Sequence, residues 1–324
     1  MIPIRDNQPS NCLPVMTYLL MGINLLVFVF QWQIGFDDKP FVFLYGLVPA
    51  KYTVPEVALH FSIANHWISI VSYMFLHGGF MHFIGNMWIL YIFGDNVEGH
   101  FGPLRFLGFY LVCGLFSGLV HFFSNPVSTI PTIGASGAIA GVMGAYFLLF
   151  PKARILTVIP IIIIPWFVEI PAFVFLGIWF VLQFLNAAGS GAGSGIAWWA
   201  HIGGFIGGLI LVQLNKRLPK TGAREKIDQF ISRKKTPKLQ MVVTTGRPDS
   251  PDLFGDIDIN VGEALMGTKK LVTIPWGFYK PLYKVTIPPG VRQGTRLRLS
   301  NMGKSTPDGS KGDMYLTVNI KHAI

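Results

Sequence analysis

Within the first 215 residues lie six apolar runs, at about 13–32, 80–99, 103–123, 134–150, 168–187 and 195–214. Each is close to the roughly 20 residues a helix needs to cross a hydrocarbon core of about 30 Å. No other feature narrows the fold as far, because backbone polar groups inside a bilayer must be satisfied within the segment that carries them. The runs predict a polytopic α-helical membrane protein with six transmembrane helices. The first, Leu13 to Trp32, has no small-residue cleavage site and is expected to stay as a membrane helix rather than be removed as a signal. One stretch resists the scheme. Ile155 to Leu185 is too long for a single span and is broken by Pro160, Pro165 and Pro171, so Ile155 to Trp166 is expected to be interfacial or re-entrant, with Glu169 near the cytosolic surface at the start of the fifth span.

Charge divides the chain. Residues 1–215 hold six Lys/Arg and seven Asp/Glu, and the remainder hold 20 and nine, within an overall net charge of +10. The expected organisation is a membrane domain at 1–215, a basic cytosolic linker at 216–250 and a soluble β-domain at 251–324. Lys152, Arg154, Lys216, Arg217, Lys220, Arg224 and Lys226 follow the fourth and sixth runs, whereas the loops Ser124 to Ile133 and Asn186 to Ser194 carry no charge. By the positive-inside rule both termini are then cytosolic, as in a multi-pass protein of a bacterial inner membrane. The long first loop, Gln33 to Gly79, falls outside, where Phe36, Phe41, Phe43, Tyr45 and Trp67 suit a loop resting partly in the membrane surface. Nine Lys/Arg between Lys216 and Lys238 read as a solvated positive-inside anchor or, more sharply, as a site for anionic lipid headgroups. A nucleic-acid partner is not expected, since the aromatic interleaving of a single-strand binder is missing there.

Two cysteines, Cys12 and Cys113, provide neither a disulfide framework nor a thiolate metal site, and the dispersed His77, His82 and His201 match no zinc spacing. Any chemistry is expected to proceed without metal or cofactor. A nucleophile is available in Gly134-Ala135-Ser136-Gly137, at the mouth of the fourth run. Small neighbours leave the hydroxyl open, and the free N–H groups of a helix start can stabilise an oxyanion. Alone, the same tetrapeptide reads equally as a small-residue packing patch. Partners decide the matter. On the expected topology the second, fourth and sixth runs all enter from outside, which brings His82 and Asn86 (four apart, on one helix face), Ser136 and His201 to one external-side pocket. Gly204 and Gly208 continue the face of His201, and Ala140 and Gly144 that of Ser136, so the two helices can approach closely. A polar cluster inside a membrane is costly unless it serves a function.

Three segments carry a resemblance: His77-Gly78-Gly79-Phe80-Met81-His82-Phe83-Ile84-Gly85-Asn86, then Gly134-Ala135-Ser136-Gly137, then Ala200-His201-Ile202-Gly203-Gly204. In order and placement they resemble the signature regions of rhomboid intramembrane serine proteases, over about residues 13–215. The resemblance implies a Ser–His dyad of Ser136 and His201. His82, Asn86 and the Ser136 N–H would form the oxyanion hole, with His77 structural in the water-filled site. It also implies supporting roles for Gly134, Gly137 and Gly204, and a fold-holding role for Glu98 in Val97-Glu98-Gly99. The family's Trp-Arg pair is missing, since Ile68 follows Trp67. Ala140 stands where some members place an aromatic against the histidine, so the ring needs other support, and no aspartate accompanies the dyad.

From Asp252 onward, period-2 patterns at 256–259, 270–274, 283–287, 296–299 and 314–318, punctuated by Pro288-Pro289-Gly290 and Pro307-Asp308-Gly309, predict a small β-sandwich. Glu263-Ala264-Leu265-Met266-Gly267-Thr268, Ile287-Pro288-Pro289-Gly290-Val291 and Gly312-Asp313-Met314-Tyr315-Leu316 resemble the carboxy-terminal β-domain of DnaJ-type co-chaperones over about 252–322. That resemblance implies client binding or self-association. The J-domain and Cys-rich module are missing, which removes the grounds for recruiting a chaperone ATPase. The whole chain is expected to be an intramembrane serine endopeptidase acting on single-span or polytopic membrane proteins near their external ends. Its rivals are an inactive relative that only binds membrane helices and a small-solute transporter, the latter opposed by the lack of an internal repeat.

Overall fold

The computed structural model describes residues 1–8, 13–36, 38–161, 164–189, 197–215, 239–242, 244–246, 250–273, 282–306 and 309–321. It forms two compact units, Met1–Ser232 and Arg233–Ile324. Cys12, the tip of the loop before the sixth run and the basic stretch 216–238 lie outside the described residues.

The first unit is built on α1 (Val15–Ile34), α6 (Phe80–Phe101), α7 (Pro103–Ser124), α8 (Ser136–Leu149), α9 (Ala172–Gly189) and α10 (Trp198–Asn215), which coincide with the six apolar runs to within a few residues. Among the described residues α1, α7 and α9 are each long and apolar enough to cross a membrane, and α6 passes the same test when joined to the preceding helical segment 63–75, bent from it by 74°. At 14 residues α8 falls short of a full span. Every residue from Gly137 to Tyr146 is buried, however, and a helix surrounded by α6, α7, α9 and α10 meets protein rather than lipid. Its length is set by its neighbours. Against α10 the fit is close: a Cβ on Gly204 would fall on the carbonyl of Gly137, one on Gly208 on that of Gly141, and one on Gly144 on that of Phe205.

Glu98, 2% exposed near the end of α6, holds the start of α1. Pro14, at the N-cap of α1, offers no side-chain acceptor. The Glu98 carboxylate instead accepts from Met16 N–H (2.9 Å), Thr17 N–H (2.8 Å) and the Thr17 hydroxyl (2.8 Å), satisfying first-turn donors and meeting the positive end of the helix dipole.

The segment expected to be interfacial or re-entrant is a β-hairpin. Strands β2 (Arg154–Ile161) and β3 (Ile164–Pro171) pair antiparallel, and β1 (Ile2–Asp6) adds a third strand in the order β1-β2-β3. β-branched residues favour the pleat, and Pro160 lies opposite Pro165 near the end of the ladder, where the fewest ladder donors are lost. Glu169 therefore belongs to β3, paired in register with Leu156, and the fifth helix starts only after Pro171. Trp88 Nε1–H donates to the Pro3 carbonyl (2.6 Å), and Asn96 Nδ2–H (2.8 Å) and the Tyr146 hydroxyl both donate to Asp6, tying β1 to α6 and α8.

The first loop contains α2 (Lys39–Tyr45), α3 (Ala50–Thr53), α4 (Pro55–Ala58) and α5 (Ile63–Ser72). Lys51 ties this loop to itself. The Lys51 side chain is fully buried, its ammonium donates to the carbonyls of Leu44 (3.2 Å) and Gly46 (3.3 Å) at the end of α2, and it lies 4.4 Å from the Phe61 ring centroid. Burial pushes its pKa down to about 8.

The second unit has two three-stranded sheets. β4 (Leu239–Met241), β6 (Thr268–Thr273) and β7 (Leu282–Ile287) form one in the order β4-β6-β7, and β5 (Leu253–Asn260), β8 (Arg296–Leu299) and β9 (Met314–Lys321) the other in the order β5-β9-β8. Alternate residues of both sheets, among them Leu253, Ile257, Val272, Val285, Leu316 and Val318, share one core. The pattern-based strands reappear as β5 to β9. The short helix α11 (Val261–Met266), capped by the reciprocal Asn260 and Glu263 bonds, breaks no period-2 run.

Candidate active site

Ser136 opens α8, where the N–H groups of a first helical turn have no intrahelical acceptor. Before it, Gly134 adopts φ +126°, and a Cβ there would also meet His82 Nε2 at 2.7 Å, so both backbone and space require glycine. Behind it, a Cβ on Gly137 would strike Ser117, whose hydroxyl donates to the Ala200 carbonyl (2.8 Å) and so holds the start of α10. That helix begins at Trp198 rather than 195, which puts His201 in its first turn, not its second.

His201 Nε2 lies 2.9 Å from Ser136 Oγ, and His201 Nδ1 lies 2.8 Å from Gln183 Oε1 on α9. A glutamine oxygen only accepts, so Nδ1 carries the proton and Nε2 is left as the acceptor of the Ser136 O–H. Trp179 and Trp198 flank the imidazole with ring centroids 6.0 and 6.1 Å away, the ring support that Ala140 does not provide.

On α6 the same logic fixes His82. Gly78 N–H donates to His82 Nδ1 (3.2 Å), so the proton is on Nε2, the nitrogen closest to Gly134. Asn86, one turn further, is buried with Nδ2 unpartnered among the described residues. Two donors thus share with Ser136 and His201 the lining of a cavity of about 510 Å³. Met81, Ile139, Met143 and Trp179 contribute its apolar wall. A serine, a base and two convergent donors in an apolar cleft fit acyl transfer.

His77 is not in this cavity. It is completely buried behind His82, ring centroids 5.3 Å apart, with its N–H donating to Gln31 Oε1 (2.8 Å) while Gln31 Nε2–H donates to its carbonyl (3.3 Å). Gln31 of α1 thus holds this backbone inward, beside the cavity rather than in its lining. Glu98 is likewise away from the cavity lining, engaged with α1. Gln183 and Gln31 were not singled out from the sequence, although each stands as a polar residue within an apolar run and is buried.

Residues 64–217 match the family model of the rhomboid domain, and residues 255–324 match that of the DnaJ C terminal domain, so both resemblances drawn from the motifs stand. Rhomboid protein 1, mitochondrial, of Saccharomyces cerevisiae is 29% identical over 206 residues, 60% of this chain and 51% of that protein. Rhomboid protease GluP of Bacillus subtilis is 28% identical over 217 residues, 66% of this chain and 37% of that protein. Chaperone protein DnaJ of Aliarcobacter butzleri is 50% identical over 42 residues, 13% of this chain and 11% of that protein. The chain spans about half the length, or less, of the relatives it matches.

Proposed function

From the premise of a rhomboid domain at residues 64–217, we propose that this membrane protein is an intramembrane serine endopeptidase with Ser136 as nucleophile and His201 as general base. The single observation that carries the reading is the 2.9 Å approach of Ser136 Oγ to an imidazole nitrogen whose partner nitrogen is held by an acceptor. Ser136 Oγ attacks the scissile carbonyl carbon while its proton passes to His201 Nε2. The carbonyl oxygen becomes an oxyanion, met by His82 Nε2–H, Asn86 Nδ2–H and the Ser136 N–H. Collapse breaks the C–N bond, the amine leaves with the proton from His201, and water then hydrolyses the acyl ester by the same relay.

The substrates are single-span or polytopic membrane proteins cut near their external ends. Six helices cross the bilayer, with both termini cytosolic in a bacterial inner membrane. Lateral entry between α6 and α9 is supported by the packing: α9 rests on α8, α10 and the hairpin, and α6 on α1, α7, α8 and β1. Exposed Leu59, Ile63 and Trp67 suit a first loop seated in the membrane surface. The basic stretch 216–238 would be drawn to anionic headgroups, and the β-domain would bind clients or a second copy.

Cleavage of a detergent-solubilised single-span helix with small residues near its outer end tests the assignment. Ser136→Ala and His201→Ala should each abolish cleavage while insertion and melting are preserved, and a chelator should change nothing. Retained activity in Ser136→Ala would sink the reading.

A further inference from the structure

We infer that Gln183 is a positioning residue for the general base, a neutral third member that selects the reactive tautomer of His201; the inference rests on the Ser136–His201 reading. Gln183 is 6% exposed and lies on α9, the helix after the hairpin, not on either helix of the dyad. Its Oε1 is 2.8 Å from His201 Nδ1, and its Nε2–H donates to the Trp179 carbonyl at 3.3 Å. That second bond orients the amide. With oxygen and nitrogen exchanged, the amide oxygen would face the Trp179 carbonyl, acceptor against acceptor, and the NH₂ would face Nδ1.

With the amide as placed, Nδ1–H donates to Oε1 and Nε2 is left with its lone pair toward Ser136. Without an acceptor at Nδ1, nothing prevents the imidazole proton from residing on Nε2, the tautomer that cannot take the serine proton. A carboxylate would give the same orientation but would place a second ionisable group beside the base in a low-dielectric interior, which is costly there. A glutamine orients without adding charge. Because the acceptor is carried by α9 and the base by α10, the arrangement exists only while the two helices stay packed at this level.

Three readouts test this on the full-length protein in detergent: the ¹⁵N chemical shifts of His201, cleavage kinetics on the model helix, and melting temperature. In the wild type Nδ1 should give a protonated-type signal and Nε2 an unprotonated one; the reverse would overturn the inference without any variant. Gln183→Met, similar in shape but lacking the acceptor, should redistribute the two signals. It should lower kcat at least about tenfold, a part of the 10²–10⁴-fold that general-base catalysis contributes, with KM changed less than about twofold. Gln183→Glu keeps an acceptor and should restore both the tautomer and most of kcat. Wild-type kinetics and tautomer in Gln183→Met, or equal losses in the Met and Glu variants accompanied by a lowered melting temperature, would overturn it. If the wild type cut no helix, the protease reading would fail while the ¹⁵N signals still decided the role of Gln183.

Discussion

At Asn86 a buried amide nitrogen has no acceptor among the described residues, an arrangement that costs free energy in the resting state unless something arrives to accept from it. An oxyanion is such a group. Loss of one donor from an oxyanion hole typically slows turnover by about 10²–10³-fold, and since His82 and the Ser136 N–H remain, Asn86→Ala should retain measurable activity in that range. Unchanged kinetics would make Asn86 a packing residue. How much of the site is legible from the sequence depends on the type of signal. Ser136, His201, His82 and Asn86 stand in glycine-rich segments, in spacings that chemistry requires, and can be read off. Gln183 and Lys51 act through a single long side chain reaching a partner 18 residues away or a local carbonyl pair, and such reach leaves no periodicity.

Among elements, the contact that most resembles a fastening is the Glu98 carboxylate on the first turn of α1. Loss of an N-cap costs about 0.5–2 kcal/mol, and buried donors bonded to a charged group raise that. Glu98→Ala should therefore lower the melting temperature in detergent, Glu98→Gln should lower it less, and the surviving folded enzyme should cleave at the wild-type rate. Equal melting of Glu98→Ala and wild type would remove this role. The hairpin was the least legible element. Its prolines and apolar residues look the same to a hydropathy argument whether they line a re-entrant segment or a pleated sheet, and its third strand, β1, comes from about 150 residues earlier in the chain. Long-range pairing of that kind is invisible to local pattern. The strands of the second unit were legible because alternation there is unbroken by membrane burial.

On the scale of the whole molecule, α10 is the last described helix of the first unit. His201 is in its first turn and Asn215 at its end, about 21 Å apart along the axis at 1.5 Å per residue. We propose that the β-domain acts on substrate tails, on partners or on assembly and not on the scissile bond. Truncation after Lys220 should leave the cleavage of a tail-less helix in detergent unaltered, and should change which tailed substrates are cut, or how fast, in membranes of physiological salt. A folded but inactive truncated protein would show the β-domain to be part of the catalytic machine. The order of strands in that domain has a consequence for its biogenesis. β9, translated after both β5 and β8, is the middle strand of their sheet, so β5 and β8 have no partner in that sheet until residue 321 has left the ribosome. At roughly 5–20 residues per second the helical unit has had several seconds to engage the insertion machinery before this sheet can close, and a nascent chain stalled anywhere before β9 carries a complete helical unit with an unfinished appendage.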